Sequence, residues 1–226
     1  MAEKTKLWYL ENFNLFSEMA QKSMEEMGRK SKMKTNKKKE IIYFPDERSD
    51  TIYILKEGKV KISRIAEDGR TTTMQLIGPG EIFGEGSILW QEKHENIAEV
   101  MEDAVICTIS KNMFQEMMKD NPALNMSITK FIGFRLQTIQ SHVEDLVFKN
   151  AQERIESFLK RYVKNFGKQM VDGWIVRPFL KHQEIADLTA TARQTVNMVL
   201  NELADQGTIK YTRRFLQVKE TDRSEE

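Results

Sequence analysis

The spacing of apolar residues changes along this chain of 226 residues, and the change restricts the folds open to it. Between residues 41 and 109, short β-branched and aromatic runs alternate with turn residues, among which Asp68-Gly69 is a strong hairpin signal. We expect further turns at Glu57-Gly58 and at residues 78–80. The strands are expected at residues 41–44, 51–55, 60–65, 71–77 and 104–109. This pattern predicts an antiparallel roll or barrel.

The first forty residues have a different pattern. Helical apolar spacing involves Leu10, Phe13, Leu15, Phe16, Met19, Met24 and Met27. This spacing predicts an N-terminal helix. The lysine-rich stretch at residues 30–39 is interpreted as a solvated link and not as a functional patch.

From about Asn125 onward the period is helical again. Successive apolar positions are separated by 4, 3, 4 and 3 residues: Ile132, Leu136, Ile139, Val143 and Leu146. This heptad seam predicts a helix of roughly 36 Å whose narrow apolar stripe pairs with its copy in a second subunit. The alternative is an ordinary helix that packs on its own domain. We favour a homodimer.

The last third of the chain has the pattern of a winged helix-turn-helix. After a helix at residues 151–166 and an extended pair around residues 172–176, two helices are expected at residues 182–189 and 192–206, with a break at Ala190-Thr191. The second helix is expected to bury Val196, Val199, Leu200 and Leu203 and to expose Arg193, Gln194 and Asn197 near its start. Gly207 is a suitable cap, and strands at 208–211 and 215–218 flank a basic wing, Arg213-Arg214.

Charge is distributed unevenly between these parts. Residues 149–219 hold 13 Lys and Arg against 7 Asp and Glu, whereas residues 41–148 hold 11 against 17. A basic region attached to an acidic one suggests a polyanion-binding part and a part with another task. The sequence has no apolar run long enough to cross a membrane and no secretory signal, so a cytoplasmic protein without membrane contact is expected.

Cofactor and catalytic patterns are sparse. Cys107 is the single cysteine, which excludes an intrachain disulfide and a cysteine-ligated iron–sulfur cluster, and it is expected to be a small core side chain. The histidines at positions 94, 142 and 182 are scattered, no metal-ligand spacing is present, and no phosphate-loop lysine follows the glycine-rich stretch. We therefore predict neither an enzyme nor a metal site.

Two motifs resemble those of the CRP/FNR family of bacterial transcription regulators. The first is Gly-Pro-Gly-Glu-Ile-Phe-Gly-Glu at residues 78–85, preceded by Tyr-Ile-Leu-Lys-Glu-Gly at 53–58. The second is Gln-Glu-Ile-Ala-Asp-Leu at 183–188, followed by the helix at 193–203 and the wing. The resemblance implies an α+β chain with an antiparallel, cyclic-nucleotide-binding-like β-roll, a long dimerisation helix and a winged helix-turn-helix. The expected bounds are 1–122, 123–149 and 150–226.

The resemblance also implies an effector pocket. Gly84 and Glu85 match the family's turn, but Glu95-Asn96 occupy the place of the arginine and serine that hold the phosphate of cyclic AMP. Ile139 and Gln140 stand where the family has a threonine and a serine that contact the purine. The candidate pocket residues are Phe83, Gly84, Glu85, Gly86, Ser87, Glu95, Asn96, Ile139 and Gln140. We predict that cyclic AMP is not the effector and that the pocket holds another small molecule or its own side chains.

Haem is not expected either. The histidines that could ligate it outside the DNA-binding part, His94 and His142, are interpreted as surface residues. The family's oxygen sensors need several N-terminal cysteines, and this chain has none there.

The family's partners are a palindromic duplex DNA and RNA polymerase. By the resemblance, Lys181, His182, Gln183, Thr195, Arg213 and Arg214 would contact the DNA backbone, and Arg193, Gln194 and Asn197 would read bases. Thr195 could instead cap its turn. Gln194 and Met198 replace a family glutamate and arginine, so the preferred half-site should shift. Ala190 stands where relatives often have glycine, so the turn is expected to be strained or differently shaped. The alternative function is a sensor module whose winged helix binds a protein instead of DNA.

Overall fold

The computed structural model describes residues 21–86 and 92–219, and the chain divides into two compact units, Met1–Thr138 and Ile139–Glu226. In the first unit, a six-stranded sheet has the order β1-β6-β3-β4, with β2 paired to β6 and β5 paired to β3. All of these pairs are antiparallel. The elements are α1 (Gln21–Lys30), β1 (Lys32–Asn36), β2 (Ile41–Tyr43), β3 (Thr51–Ile65), β4 (Thr71–Ile77), β5 (Ile82–Phe83), β6 (Ile97–Ser110) and α2 (Lys111–Asp120). The predicted antiparallel roll is confirmed.

Strand β3 differs from the prediction. The two strands expected at 51–55 and 60–65 form one strand, and the expected turn at Glu57-Gly58 is wrong. The dipeptide is instead an irregularity in the ladder with β6, where the register shifts between Leu55 and Val60. Gly58 has φ +88°, and a Cβ on it would lie 2.5 Å from the carbonyl oxygen of Asp103. The glycine thus permits a bulge that bends the strand without ending it.

The lysine-rich stretch also differs from its interpretation as a link. Its middle five residues are strand β1, which pairs with β6 from Lys32 opposite Thr108 to Asn36 opposite Ala104. The first four side chains of β1 are exposed, as expected for solvated lysines. No apolar alternation marked this strand because it lies at the edge of the sheet, where lysine is common and the backbone supplies the pairing. The part of the predicted N-terminal helix before residue 21 lies outside the described residues.

The roll has two buried apolar clusters. One joins the strands to α1 and α2 and includes Met27, Ile54, Cys107 and Phe114. The other lies between β2, β3, β5 and β6 and is centred on residues such as Leu55 and Phe83. Helix α2, which the sequence analysis did not assign, buries Phe114 and Met117. Cys107 is 2% exposed, so its predicted place in the core is confirmed.

Helix α3 (Pro122–Phe148) is the predicted long helix. Its 27 residues span about 40 Å at 1.5 Å per residue. The sequence boundary of the two compact units falls in this helix, between Thr138 and Ile139. The five seam residues are all exposed, from 37% at Ile132 to 57% at Ile139. Within the described residues no helix is long and apolar enough to span a membrane.

The second unit contains the predicted winged helix-turn-helix. Its further elements are α4 (Ala151–Phe166), β7 (Lys168–Met170), β8 (Gly173–Val176), α5 (His182–Thr189), α6 (Arg193–Asp205), β9 (Ile209–Thr212) and β10 (Phe215–Lys219). The strands form a sheet of order β7-β8-β10-β9. Gly207, at φ +72°, follows the end of α6 in the left-handed conformation that favours glycine.

Candidate nucleic-acid interface and effector site

Helix α5 and the turn after it determine where α6 begins. The backbone N–H of Lys181 donates to Glu184 Oε2 at 2.8 Å, which caps the start of α5. Ala186, in the middle of α5, is buried. At the other end Ala190 is left-handed, with φ 49°, and the N–H of Thr191 donates to the carbonyl of Ala186 at 2.9 Å. The turn is therefore closed by backbone bonds despite the non-glycine residue at its left-handed position.

Helix α6 is amphipathic in the predicted sense. Val196, Val199 and Leu200 are fully buried and Leu203 is 7% exposed. Three polar side chains near its amino end are exposed: Arg193, Gln194 and Asn197. The apolar Met198 is exposed as well. The structure thus brings the three predicted base-reading residues together on one solvent-facing side of one helix. Packing of that face inside the subunit would have removed the basis for DNA recognition.

The wing adds further cations to the same unit. Arg213 and Arg214 are exposed in the turn between β9 and β10, where the N–H of Arg214 donates to Thr212 Oγ1 at 3.1 Å. Lys181 and Gln183 are exposed at the start of α5, and Gln183 Nε2 donates to Asp187 Oδ1 at 2.8 Å. Thr195 is half-buried, and the N-cap position of α6 belongs to Ala192.

The pKa of His182 is affected by two of these cations. Partial burial lowers the pKa of its imidazole, and the positive charges of Arg193 and Arg213 lower that pKa further. Its ring centre lies 6.1 Å from that of Tyr211, whose hydroxyl donates to Asn201 Oδ1 at 2.8 Å. His182 at the start of α5, Arg193 at the start of α6 and Arg213 in the wing thus interact electrostatically, and they are here called the cationic surface.

Four of the predicted effector residues lie in β5 or directly after it: Phe83, Gly84, Glu85 and Gly86. Phe83 is buried and stacks on Tyr53 with ring centres 5.0 Å apart. Gly84 has φ +74°, and a Cβ on it would approach the Tyr53 ring to 2.8 Å. Only glycine fits this turn, since a side chain would be both strained and obstructed. Gly86 is half-buried, and Ser87 lies outside the described residues.

The carboxylate of Glu85 is engaged within the chain. It forms an ion pair with Arg135 on α3, and Arg135 Nη2 donates to Gln75 Oε1 at 2.7 Å. The guanidinium carbon lies 5.3 Å from the centre of the Phe131 ring. Only about a fifth of each partner's side chain is exposed, 19% for Arg135 and 23% for Glu85. Arg135 was not predicted from sequence. The feature that could have indicated it is the position of a single arginine between the apolar seam residues Ile132 and Leu136.

The other predicted pocket residues that the structure describes are exposed or half-buried. Glu95 is exposed and lies 3.4 Å from the guanidinium of Arg64, which is exposed as well. Asn96 is half-buried. Ile139 and Gln140 are exposed on the part of α3 that belongs to the second unit.

His94 is not the surface residue that was predicted. It is 5% exposed and stacks flat on Tyr43, with ring centres 3.7 Å apart. Its Nδ1 lies 3.4 Å from Ser49 Oγ, and burial lowers the pKa of the ring. The neighbours of His94 in sequence are polar, so the sequence did not show that the ring packs against Tyr43 of β2 and lies near Tyr53 of β3. No group of three His, Cys, Asp or Glu side chains among residues 21–86 and 92–219 is arranged to hold a metal ion.

Comparison with known proteins gives two family matches. A cyclic nucleotide-binding domain matches residues 33–121, and a Crp-like helix-turn-helix domain matches residues 153–223. The CRP-like cAMP-activated global transcriptional regulator of Mycobacterium tuberculosis is 27% identical over 182 residues, which cover 80% of this chain and 81% of the relative. The anaerobic regulatory protein of Bacillus subtilis is 28% identical over 162 residues, or 71% of this chain and 68% of the relative.

Solved structures share the fold. The c-di-GMP responsive global regulator CLP of Xanthomonas campestris superimposes with a TM-score of 0.74 at 20% identity, covering 89% of this chain and all of the other. A CooA mutant of Carboxydothermus hydrogenoformans superimposes with a TM-score of 0.71 at 24% identity, covering 97% of this chain and 94% of the other.

The β-roll, the long helix and the exposed recognition helix define a class of protein in which a sensor-type domain precedes a DNA-binding winged helix. The cyclic nucleotide-binding match covers the β-roll, and the helix-turn-helix match covers the second unit that follows it. The chain belongs to the CRP/FNR family of transcription regulators.

Proposed function

We propose that this protein is a dimeric, sequence-specific DNA-binding transcription regulator, gated by a small molecule other than cyclic AMP or independent of any effector. The observation that carries the proposal is the exposed amino end of α6, where Arg193, Gln194 and Asn197 face solvent. The cationic surface around it supplies charge for phosphate contacts, and phosphate contacts provide most of the salt-dependent affinity. RNA polymerase is proposed as the protein partner on the DNA.

The dimer is proposed to form along α3. A seam of five apolar side chains lies exposed in the single chain, and such a stripe is stable in water only when it is covered. Pairing with a second copy covers it by the same residues on both sides and creates a twofold axis. We assign residues 1–122 to effector sensing, 123–149 to dimerisation and 150–226 to DNA binding.

Within each half-site the proposed roles follow from donor and acceptor geometry. Arg193 offers two parallel N–H donors to O6 and N7 of guanine, and the amide of Gln194 suits N6 and N7 of adenine. Met198 offers no donor and can contact a thymine methyl, which relaxes specificity at that base pair by about 1 to 3 kcal/mol relative to an arginine. Asn197 reads a base from the next turn of α6. Lys181, His182, Gln183, Thr195, Arg213 and Arg214 contact the backbone.

The function is tested by selection of bound fragments from genomic DNA. The full-length protein should enrich palindromic sites whose half-sites are centred about 34 Å apart, one turn of duplex. Equal retention of unrelated fragments would contradict sequence-specific recognition. Retention of none, together with capture of a protein through the winged helix, would favour the alternative function.

The effector is proposed to be something other than cyclic AMP. Glu95 replaces the family's phosphate-binding arginine, and its carboxylate would repel a phosphate. The Glu85 carboxylate is already paired with Arg135, which takes up part of its capacity to accept from a ribose hydroxyl. At similar identity, relatives carry names as different as cAMP-activated, anaerobic and nitrogen regulator. Likeness of sequence therefore selects none of these signals.

Calorimetry with cyclic AMP is expected to detect no binding in the low-micromolar range. The physical reason is the loss of a charge-assisted, bidentate phosphate contact combined with the carboxylate introduced by Glu95. The Mycobacterium tuberculosis regulator, named as cAMP-activated, is the positive control under the same conditions. A low-micromolar dissociation constant for this protein would contradict the prediction.

His182 should make DNA binding dependent on pH. In the free protein the pKa of its imidazole is lowered by burial and by Arg193 and Arg213, whereas a nearby phosphate would raise that pKa. DNA affinity should therefore increase as pH falls from 8 to 5.5. The gain is complete below the free-state pKa and lost above the bound-state pKa. One unit of difference gives about a tenfold change.

The measurement is fluorescence anisotropy with one duplex across that pH range. H182Q should flatten the profile, because glutamine does not titrate. H142Q, on α3, is the matched control and should retain the wild-type slope. An unchanged slope in H182Q would remove His182 from the DNA-backbone contacts.

A further inference from the structure

Arg154 occupies a place in α4 that local helix energetics do not favour. Helix α4 begins at Ala151, and Asn150 caps it: Asn150 Oδ1 accepts from the Glu153 N–H at 3.0 Å, and Glu153 Oε2 accepts from the Asn150 N–H at 2.8 Å. The amino end of a helix is its positive end, which suits Glu153 and disfavours a cation. The reason for arginine at this position must therefore come from other parts of the chain.

Its guanidinium donates to three backbone carbonyls. Nε donates to the carbonyl of Thr189 at 2.9 Å, and Nη2 donates to that of Ala190 at 3.1 Å. Nη1 donates to the carbonyl of Lys149 at 2.9 Å. The first two carbonyls belong to the turn between α5 and α6, and the third belongs to the link between α3 and α4. One planar side chain thus connects two segments that are 40 residues apart in sequence.

The three acceptors share a physical character, since all belong to helix carboxyl ends. Thr189 is the last residue of α5 and Ala190 is its cap. The Lys149 N–H still donates to the carbonyl of Asp145, at 3.0 Å, in the helical pattern of α3. Terminal carbonyls lack partners within their own helix and form its negative end. A guanidinium satisfies both ends at once, with donors in a rigid fork and a charge of the favourable sign.

This contact bears on recognition because α6 begins at Arg193, three residues after Ala190. The orientation of the turn determines the direction in which α6 leaves it. The Arg154 fork joins that turn to Lys149, the residue directly after α3, and all of these residues lie in one compact unit. Movement of the turn relative to the end of α3 must break at least one of three charge-assisted bonds.

We propose that Arg154 is the positioning residue that fixes the recognition helix to the end of the dimerisation helix, so that the two copies of α6 are held at a defined half-site spacing. This inference rests on the proposed function for the dimer and for its DNA readout. The connection between the turn and the α3–α4 link is a property of the chain without DNA. Arg154 itself reads no base.

Arg161 provides a matched control on the same helix. Its guanidinium donates to Asp145 Oδ2 at 2.7 Å, and Lys149 Nζ binds the other carboxylate oxygen at 2.7 Å. Arg161 therefore joins α4 to α3 without contacting the turn before α6. R154Q and R161Q remove the same charge from α4, but only R154Q releases the turn.

The first measurement is amide hydrogen exchange of the full-length protein without DNA. Residues 189–193 should exchange about tenfold faster in R154Q than in wild type, the change that corresponds to loss of one charge-assisted hydrogen bond. R161Q should leave their exchange unchanged. If R154Q fails to fold, R154K replaces it: a single ammonium cannot match three fixed acceptors, so an intermediate increase is expected. Equal exchange in wild type and the Arg154 variants would overturn the proposal.

The second measurement uses a selected operator and versions with one base pair inserted or removed between the half-sites. Wild type should lose affinity on the altered spacings, and the Arg154 variants should lose about tenfold less. Their base preferences within a half-site should be retained, because α6 is intact. An unchanged spacing penalty would overturn the positioning role. If wild type selects no operator, the proposed function fails, and the exchange result still decides whether Arg154 holds the turn.

Discussion

V143E is expected to convert the proposed dimer to monomers. Val143 is at the centre of the exposed seam on α3 and is 52% exposed in the single chain. In the dimer each glutamate would be buried near its copy without a cation to pair it. Such burial costs roughly 3 kcal/mol or more per dimer, which is over 100-fold in the dissociation constant. Sedimentation equilibrium measures this constant directly.

The loss of the dimer should carry over to DNA. Two linked half-site contacts bind more tightly than one by a factor of about 100 to 10,000, because the second contact is intramolecular. The affinity of V143E for a palindromic operator should therefore fall by at least about 100-fold. Its affinity for a duplex with a single half-site should stay near the wild-type value.

Gln137 supplies the control for this experiment. It is exposed on α3 and lies outside the heptad seam. Q137E adds the same charge to the same helix and should leave both the dimer and operator binding intact. Dimerisation of V143E with wild-type affinity would show that α3 does not form the interface. Loss of the dimer in both variants would implicate net charge instead of the seam.

The features that sequence predicted well have a local physical origin. The heptad spacing of α3, the buried face of α6 and the turn residues around β4 depend on side chains a few positions apart, so periodicity is sufficient to find them. The exposed amino end of α6 follows from the same spacing, because the buried valines and leucines leave only one side for Arg193 and Asn197. The exposure of these candidate site residues could be predicted from sequence for this reason.

The features that sequence missed depend on distant parts of the chain. Strand β1 is defined by its pairing with β6, some 70 residues later, and its lysines show no alternation. The bulge at Gly58 involves a close approach to the backbone of Asp103. In sequence, Glu57-Gly58 cannot be distinguished from a turn dipeptide by any local rule. Arg135 and Arg154 have contacts 50 and 35 residues away. Each is an isolated arginine in sequence and acquires its role only when the fold supplies an acceptor.

R193A and R214A should lower DNA binding in different ways. Arg193 is placed to read a base. R193A should therefore reduce the difference in binding free energy between operator and random duplex by about 1 to 3 kcal/mol, and it should change the random-duplex affinity little. Arg214 is placed to meet a phosphate, so R214A should weaken both duplexes alike and reduce the slope of log affinity against log salt by about one unit.

The measurement that separates them is a titration of both variants against the operator and a random duplex at several salt concentrations. Because both variants lose one arginine from the same basic unit, each is the charge-matched control for the other. Only position on the fold differs between them: Arg193 opens α6 and Arg214 lies in the wing. Equal losses on both duplexes for both variants would contradict the division into base reading and phosphate contact. If R214A lost more discrimination between operator and random duplex than R193A, the wing would read bases and α6 would contact phosphates.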